Sequence, residues 1–264
     1  MNLNKYNFGL SFGTYLLYGS ECHQAIASAL NYGYRSIDTA ELHKNQKDIA
    51  IGLEMAYKAN ENLSRNDIFI TSKIHNYNQR DGTILEGIQK IISELNLNDS
   101  YIDCIMLHSP YGNYYVESWK ELCKYKEQFN IRHIGVSNFS VQHMEKIYDA
   151  TGIHPAINQL ELHPRNKKHQ LPIIEYCNEN GIVVQAHSAV KSYIDVNENL
   201  AASVEDIIKW YCHNKYPTII KSKSDANIKS NMAIYNSVKD SLNFVASEGL
   251  LCDDDFFRFD RFKY

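Results

Sequence analysis

Ile102-Asp103-Cys104-Ile105-Met106-Leu107-His108 is a short apolar run that closes on a histidine, and Arg132-His133-Ile134-Gly135-Val136-Ser137 repeats the plan about 30 residues later, closing on a serine. Between them Trp119, Leu122 and Cys123 fall at the spacing of one helix face. The same alternation extends in both directions. Strands are expected near Phe8 to Thr14, Tyr34 to Asp38, Ile68 to Lys73, Ala156 to Gln159, Ile182 to His187 and Thr218 to Ser222, with successive starts roughly 24 to 36 residues apart. That interval holds one strand, one crossover helix and two loops.

The intervening segments carry amphipathic spacing: Ala25, Ile26, Ala29 and Leu30; Ile49, Leu53 and Tyr57; Ile84, Ile88, Ile91, Ile92 and Leu95. Ser64 reads as a helix start, and Gly33 and Gly181 as helix stops just before strands. Eight β/α units without a Pro/Gly/Ser linker predict one closed (β/α)8 barrel, the TIM barrel architecture, in a single domain over 1–264. An open doubly wound sheet is the alternative, but Gly9-Leu10-Ser11-Phe12-Gly13 lacks its Gly-x-Gly-x-x-Gly spacing. Residues 236–264, with Asp253-Asp254-Asp255-Phe256-Phe257, read as a charged, aromatic tail.

The 264 residues include 27 Lys and Arg against 31 Asp and Glu, a net charge of −4, with 44% hydrophobic and 22% charged residues. No basic cluster suits a nucleic-acid partner. No apolar run reaches membrane-span length and the start lacks a signal-peptide core, so a cytoplasmic, non-membrane protein is expected. The six cysteines form no Cys-x-x-Cys pair and read as reduced thiols.

In such a barrel the active face lies at the carboxyl ends of the strands. There the expected strands end on Asp38, Lys73, His108, Ser137 with Asn138, Gln159, His187 with Ser188, and Lys221 with Ser222. Asp38 and Lys73 close neighbouring strands and are expected to pair across the mouth, with His108 completing an acid-base cluster.

At these residues the chain resembles the aldo-keto reductases, NADP(H)-dependent (β/α)8 barrels that reduce aldehydes and ketones. The resemblance is carried by Gly33-Tyr34-Arg35-Ser36-Ile37-Asp38-Thr39-Ala40, Ile70-Thr71-Ser72-Lys73, Ile105-Met106-Leu107-His108-Ser109-Pro110, Ile134-Gly135-Val136-Ser137-Asn138-Phe139, Ile157-Asn158-Gln159-Leu160-Glu161-Leu162-His163-Pro164 and Ile220-Lys221-Ser222 with Asn231. It implies that Asp38 and Lys73 support the proton donor and that His108 orients the carbonyl. It implies nicotinamide contacts from Ser137, Asn138 and Gln159, and nucleotide contacts from Thr14, Asp38, His187, Ser188, Lys221, Ser222 and Asn231. The cofactor implied is NADP(H), with NAD(H) opened by one departure below, and the partner a small carbonyl substrate.

The departures are specific. His43 stands where the family places its proton-donating tyrosine, His187 where a tyrosine stacks on the nicotinamide, and His75 where a tryptophan follows the lysine. Asn227 replaces the arginine that grips the 2′-phosphate, Ser230 replaces its neighbouring glutamate, and the segment from Ser188 to Ala202 is short. Histidine can serve as a general acid, but Lys73 disfavours its charged form, so slow reduction that improves as pH falls is the expectation. Two other readings compete: a cofactor-binding regulatory module that has lost turnover, and a metal site built from His43, His75, His108, His187 and Asp38.

Overall fold

The computed structural model describes residues 8–97, 100–190 and 203–239. Eight strands run in sequence order and close as a barrel: β1 (Leu10–Gly13), β2 (Ser36–Asp38), β3 (Phe69–Ile74), β4 (Ile102–Leu107), β5 (Ile131–Ser137), β6 (Ile157–Glu161), β7 (Val183–His187) and β8 (Thr218–Ile220). Every pairing is parallel, including the β1–β8 seam. Closure removes the open-sheet alternative. The expected strands are all present with ends shifted by a few residues: β1, β2, β4, β7 and β8 are shorter than expected, while β3, β5 and β6 run one or two residues past an expected end.

The helices bury the stripes that their spacing foretells. Ala25, Ile26, Ala29 and Leu30 are buried on Gly19–Asn31, Ile84, Ile88 and Ile91 on Ile84–Glu94, and Trp119 and Leu122 on Tyr115–Tyr125. Gly33, at φ 102°, makes the left-handed exit from the first helix that only glycine adopts at ease. Ser64 forms a capping box with Asp67, but it starts only the single 3-10 turn Arg65–Asp67 and no full helix. Of the cysteines, Cys22, Cys104 and Cys177 are buried free thiols and Cys123 and Cys212 are half-buried free thiols. Cys252, the tail from 240 onward and the 191–202 stretch lie outside the described residues. Among the described residues no helix is long and apolar enough to cross a membrane.

Strand alternation then sorts the barrel interior into layers. Phe8, Phe69, Cys104, Met106 and Ile157 form an apolar plug, separate from the larger core between strands and helices. Gly135 sits against this plug, where a Cβ would lie 2.9 Å from the Ile157 carbonyl and 3.0 Å from Met106 Cγ, so no larger residue fits. Two residues further along the same strands come Thr71 after Phe69, with Lys73 two beyond it, His108 after Met106, Ser137 after Gly135, and Gln159 after Ile157. The polar groups that close the strands therefore stand on the inward parity, above an apolar floor.

Candidate active site at the carboxyl rim

Asp38 is the last residue of β2, and β3 places Lys73 beside it. Lys73 Nζ donates to Asp38 Oδ1 at 2.7 Å and Oδ2 at 2.8 Å, and to the Thr39 carbonyl at 3.1 Å. An ammonium has three protons, and all three are placed. Both side chains are nearly dry, 5% exposed for Lys73 and 7% for Asp38. Such a pair gains Coulomb energy only against a large desolvation cost, so its value is to hold a fixed charge pair in place more than to stabilise the fold.

A hydrogen-bonded chain leads from this pair across the barrel. Gln159 Nε2 donates to Asp38 Oδ2 at 2.7 Å and to Gln185 Oε1 at 2.8 Å. Gln185 Nε2 donates to Ser11 Oγ at 3.1 Å, and Ser11 donates to Ser36 Oγ at 2.9 Å. All six side chains are buried. Linked groups in a low-dielectric interior hold one another in a single arrangement. Sequence reasoning named Gln159 but missed Gln185, Ser11 and Ser36; the inward parity shared by Gln185 and His187 on β7 is the signal that would have found Gln185.

His43 closes the 3-10 turn Glu41–His43 that follows β2 and is 8% exposed. Its Nδ1 lies 3.3 Å from Thr14 Oγ1, and Thr14 in turn donates to the Asp38 carbonyl at 2.9 Å. Asn45 braces the two loops: its amide donates to the carbonyls of Thr14 at 2.7 Å and Leu17 at 2.9 Å, while its Oδ1 accepts from Thr39 at 3.2 Å. The Tyr15 ring lies 5.1 Å from the imidazole and the His108 ring 6.4 Å away, nearly perpendicular. Burial first, then the Lys73 ammonium, push the His43 pKa down to about 4 against a partial pull upward from Asp38. Burial, Lys73 and His43 together lower His108 well below the usual imidazole range. Both rings are neutral at pH 7.

Ser137, Asn138, His187 and Ser188 form a second cluster on the rim. Asn138 donates to Ser137 Oγ at 3.1 Å, which leaves its Oδ1 to accept from His187 Nε2 at 2.9 Å. His187 Nδ1 lies 3.1 Å from Ser188 Oγ, and burial holds the ring's pKa near about 4. Asn138 and Ser188 adopt left-handed backbone, φ 61° and 56°. That conformation costs a β-carbon residue about 1–2 kcal/mol and is found at ligand clamps. Across the mouth, Lys221 and Ser222 follow β8, Ser222 Oγ accepts from the Ser224 amide at 3.1 Å, and Ser224 caps the helix Asp225–Val238, within which Asn231 is buried. Lys223 pairs with Glu21 at 2.8 Å.

His75 takes no part in this cluster: its Nδ1 accepts from the Tyr77 amide at 3.0 Å as the cap of Asn76–Asp81, and its ring lies against Tyr77 at 4.4 Å. Buried Glu41, which sequence reasoning missed, accepts from the His75 amide at 2.8 Å and so ties that loop to the His43 turn; burial raises its pKa. Among the described residues no three His, Cys, Asp or Glu side chains converge as a metal requires, so the histidines supply no ligand set.

Comparison with known proteins gives the architecture its family. The model of the aldo/keto reductase family matches residues 10–206, and the chain belongs to that family. Among its relatives, glyoxal reductase of Bacillus subtilis is 33% identical over 227 residues, covering 83% of this chain and 79% of the relative. Methylglyoxal reductase DkgA of Yersinia pestis is 30% identical over 240 residues, covering 86% and 83%. Among solved structures, an aldo/keto reductase from Brucella melitensis superposes with a TM-score of 0.74 at 26% identity, covering 88% of this chain and 92% of that one. A Bombyx mori aldo-keto reductase in complex with NADP does so with a TM-score of 0.74 at 25% identity, covering 87% of each.

Proposed function

We propose that this protein reduces small aldehydes or ketones to alcohols with NADPH, slowly, with His43 in the place of the family's phenol as proton donor. The observation that carries the reading is the dry Asp38–Lys73 pair with His43 and His108 beside it at one rim and Gln159, whose strand pairs with Ser137, bonded to Asp38. The relatives named for glyoxal and methylglyoxal reduction support a small dicarbonyl as substrate.

The donor set suits a nicotinamide dinucleotide. Ser137, Asn138 and Gln159 offer a hydroxyl and amides to a carboxamide, and Asn138 and Ser188 hold strained backbone at that cluster. Lys221 and the N-terminus of Asp225–Val238 offer positive charge to phosphates, while Lys223 is paired with Glu21. The NADP-bound structural neighbour agrees. NAD(H) enters as an alternative because Asn227 carries no charge for a 2′-phosphate. When bound, the group supplies the hydride; the protein's part is to hold the carbonyl and deliver a proton. His108, neutral, is a hydrogen-bonding partner for the carbonyl oxygen. His43 must gain a proton before it donates one, and with a pKa of about 4 roughly one molecule in a thousand carries that proton at pH 7. Lys73, its three protons placed elsewhere, stabilises developing negative charge through space and does not hand His43 a proton.

Consumption of NADPH with glyoxal and methylglyoxal tests this. The rate is expected to rise about tenfold per unit as pH falls from 7 toward 5, the range in which the imidazolium fraction grows in proportion to acidity. A rate that is flat with pH, or that survives His43→Ala, removes His43 from the chemistry. A second reading, a cofactor-binding module without turnover, is favoured by the placement of every Lys73 proton away from His43. It predicts saturable NADPH binding with no consumption. The site residues, single-domain boundaries and cytoplasmic location remain part of this proposal.

A further inference from the structure

We propose that Thr14 is a positioning residue that fixes neutral His43 as its Nδ1–H tautomer, so that Nε2 is the nitrogen that exchanges protons and rests as an acceptor. A threonine hydroxyl has one proton, and a carbonyl oxygen can only accept. At 2.9 Å from the Asp38 carbonyl, Thr14 Oγ1 has that proton committed. Its contact with His43 Nδ1 at 3.3 Å is then one in which the imidazole donates. Neutral imidazole carries one N–H, so Nε2 holds a lone pair. Thr14 is fully buried and Asn45 anchors its carbonyl, which holds the side chain between the Asp38 carbonyl, the nearer partner at 2.9 Å, and His43 at 3.3 Å.

The charged and titratable groups around the ring reinforce the neutral state: Lys73 on β3 opposes a second proton, Asp38 on β2 compensates in part, and Tyr15 and His108 face the ring without bringing a positive charge. The consequence for catalysis rests on the reductase reading above. In the reducing direction Nε2 must first take a proton from water. Its N–H bond then breaks with the electron pair staying on nitrogen, and the proton goes to the substrate oxygen once the carbonyl carbon has accepted hydride. In the reverse direction no such preparation is needed: the Nε2 lone pair takes the hydroxyl proton of an alcohol directly. At neutral pH the resting site is set for alcohol oxidation, with reduction waiting on acid.

The tautomer is read on the full chain by two-bond 1H–15N correlation NMR of histidine-labelled protein at pH 7, with no cofactor present. His43 is expected to show a protonated Nδ1 and an unprotonated Nε2. Thr14→Val, close in shape but without the acceptor, is expected to move the Nδ1–H to Nε2–H ratio about fivefold or more toward Nε2–H, the size of one lost hydrogen bond. Thr14→Ser is expected to restore the wild-type signals. A protonated Nε2 in the wild type, or a ratio that Thr14→Val leaves unchanged, overturns the proposal. If Thr14→Val does not fold, Thr14→Ala, which also lacks the acceptor, takes its place in the comparison with wild type and Thr14→Ser. Because the signals need no turnover, failure of the tautomer assignment and failure of the reductase reading are separate results.

Discussion

Two buried carboxylates sit at opposite ends of this barrel, and they are served differently. Asp103, near the start of β4, accepts from Arg65 at 2.6 Å, from Arg132 at 3.2 Å and from the Ile70 amide at 2.9 Å. Its two guanidinium partners lie over the ring of Tyr101, at 4.3 and 3.3 Å from the centroid, and keep contact with water. Asp38, at the end of β2, meets an ammonium as dry as itself. Guanidinium is more weakly hydrated than ammonium, and each arginine reaches one carboxylate oxygen, so the Asp103 cluster pairs its acid while leaving its cations partly solvated. The Asp38 pair gives up solvation on both sides. The amino end of the barrel is built to hold strands together, and the carboxyl end is built to hold charge.

That contrast can be broken by mutation. The largest effect is expected from Asp103→Ala, which strips two arginines and one strand amide of their acceptor: a loss of about 3–5 kcal/mol in urea unfolding, with NADPH affinity of the folded protein unchanged. Next comes the double replacement Asp38→Asn with Lys73→Met. Exchanging a buried pair for neutral groups is expected to leave stability within about 1–2 kcal/mol of wild type while kcat/KM for methylglyoxal falls about a hundredfold or more. Equal stability losses at the two ends would erase the distinction.

His43→Tyr sharpens the comparison at the rim itself. A phenol donates in its neutral form, so the variant is expected to reduce methylglyoxal about ten to a hundred times faster at pH 7 and to lose the acid dependence. The smallest effect is on the acid limb of stability. The folded pKa of His43, about 4, lies below the 6.5 of a free imidazole, so the unfolded chain binds more protons in that window. Stability therefore falls as pH drops from 6.5 toward 4, by at most about 2 kcal/mol between pH 6.5 and 5 from this group. His43→Leu is expected to flatten that part of the slope in pH-dependent unfolding.

The barrel was legible because its signals are local and repeated: an apolar run, a polar stop, then a helical stripe. Asp38, Lys73 and His108 could be named for the same reason, since each closes a strand. Their pairing followed from strand neighbourhood alone. Residues whose role comes from loops folding back were not legible in this way. Asn45 braces the turns that carry Thr14 and His43, and His75 turns away to cap a helix, yet nothing in the spacing of either residue says so. Gln185 was within reach, because it shares the inward parity of His187, but attention to strand ends passed over a residue one step lower in the barrel.

Titration with NADPH and NADH, followed by nucleotide and intrinsic fluorescence, tests the proposed nucleotide site at the carboxyl rim most directly. Saturable binding of NADPH, weakened when Gln159→Leu removes the amide that joins Asp38 to Gln185 beneath the mouth, is the predicted result. No binding of either nucleotide by the wild-type protein would contradict it.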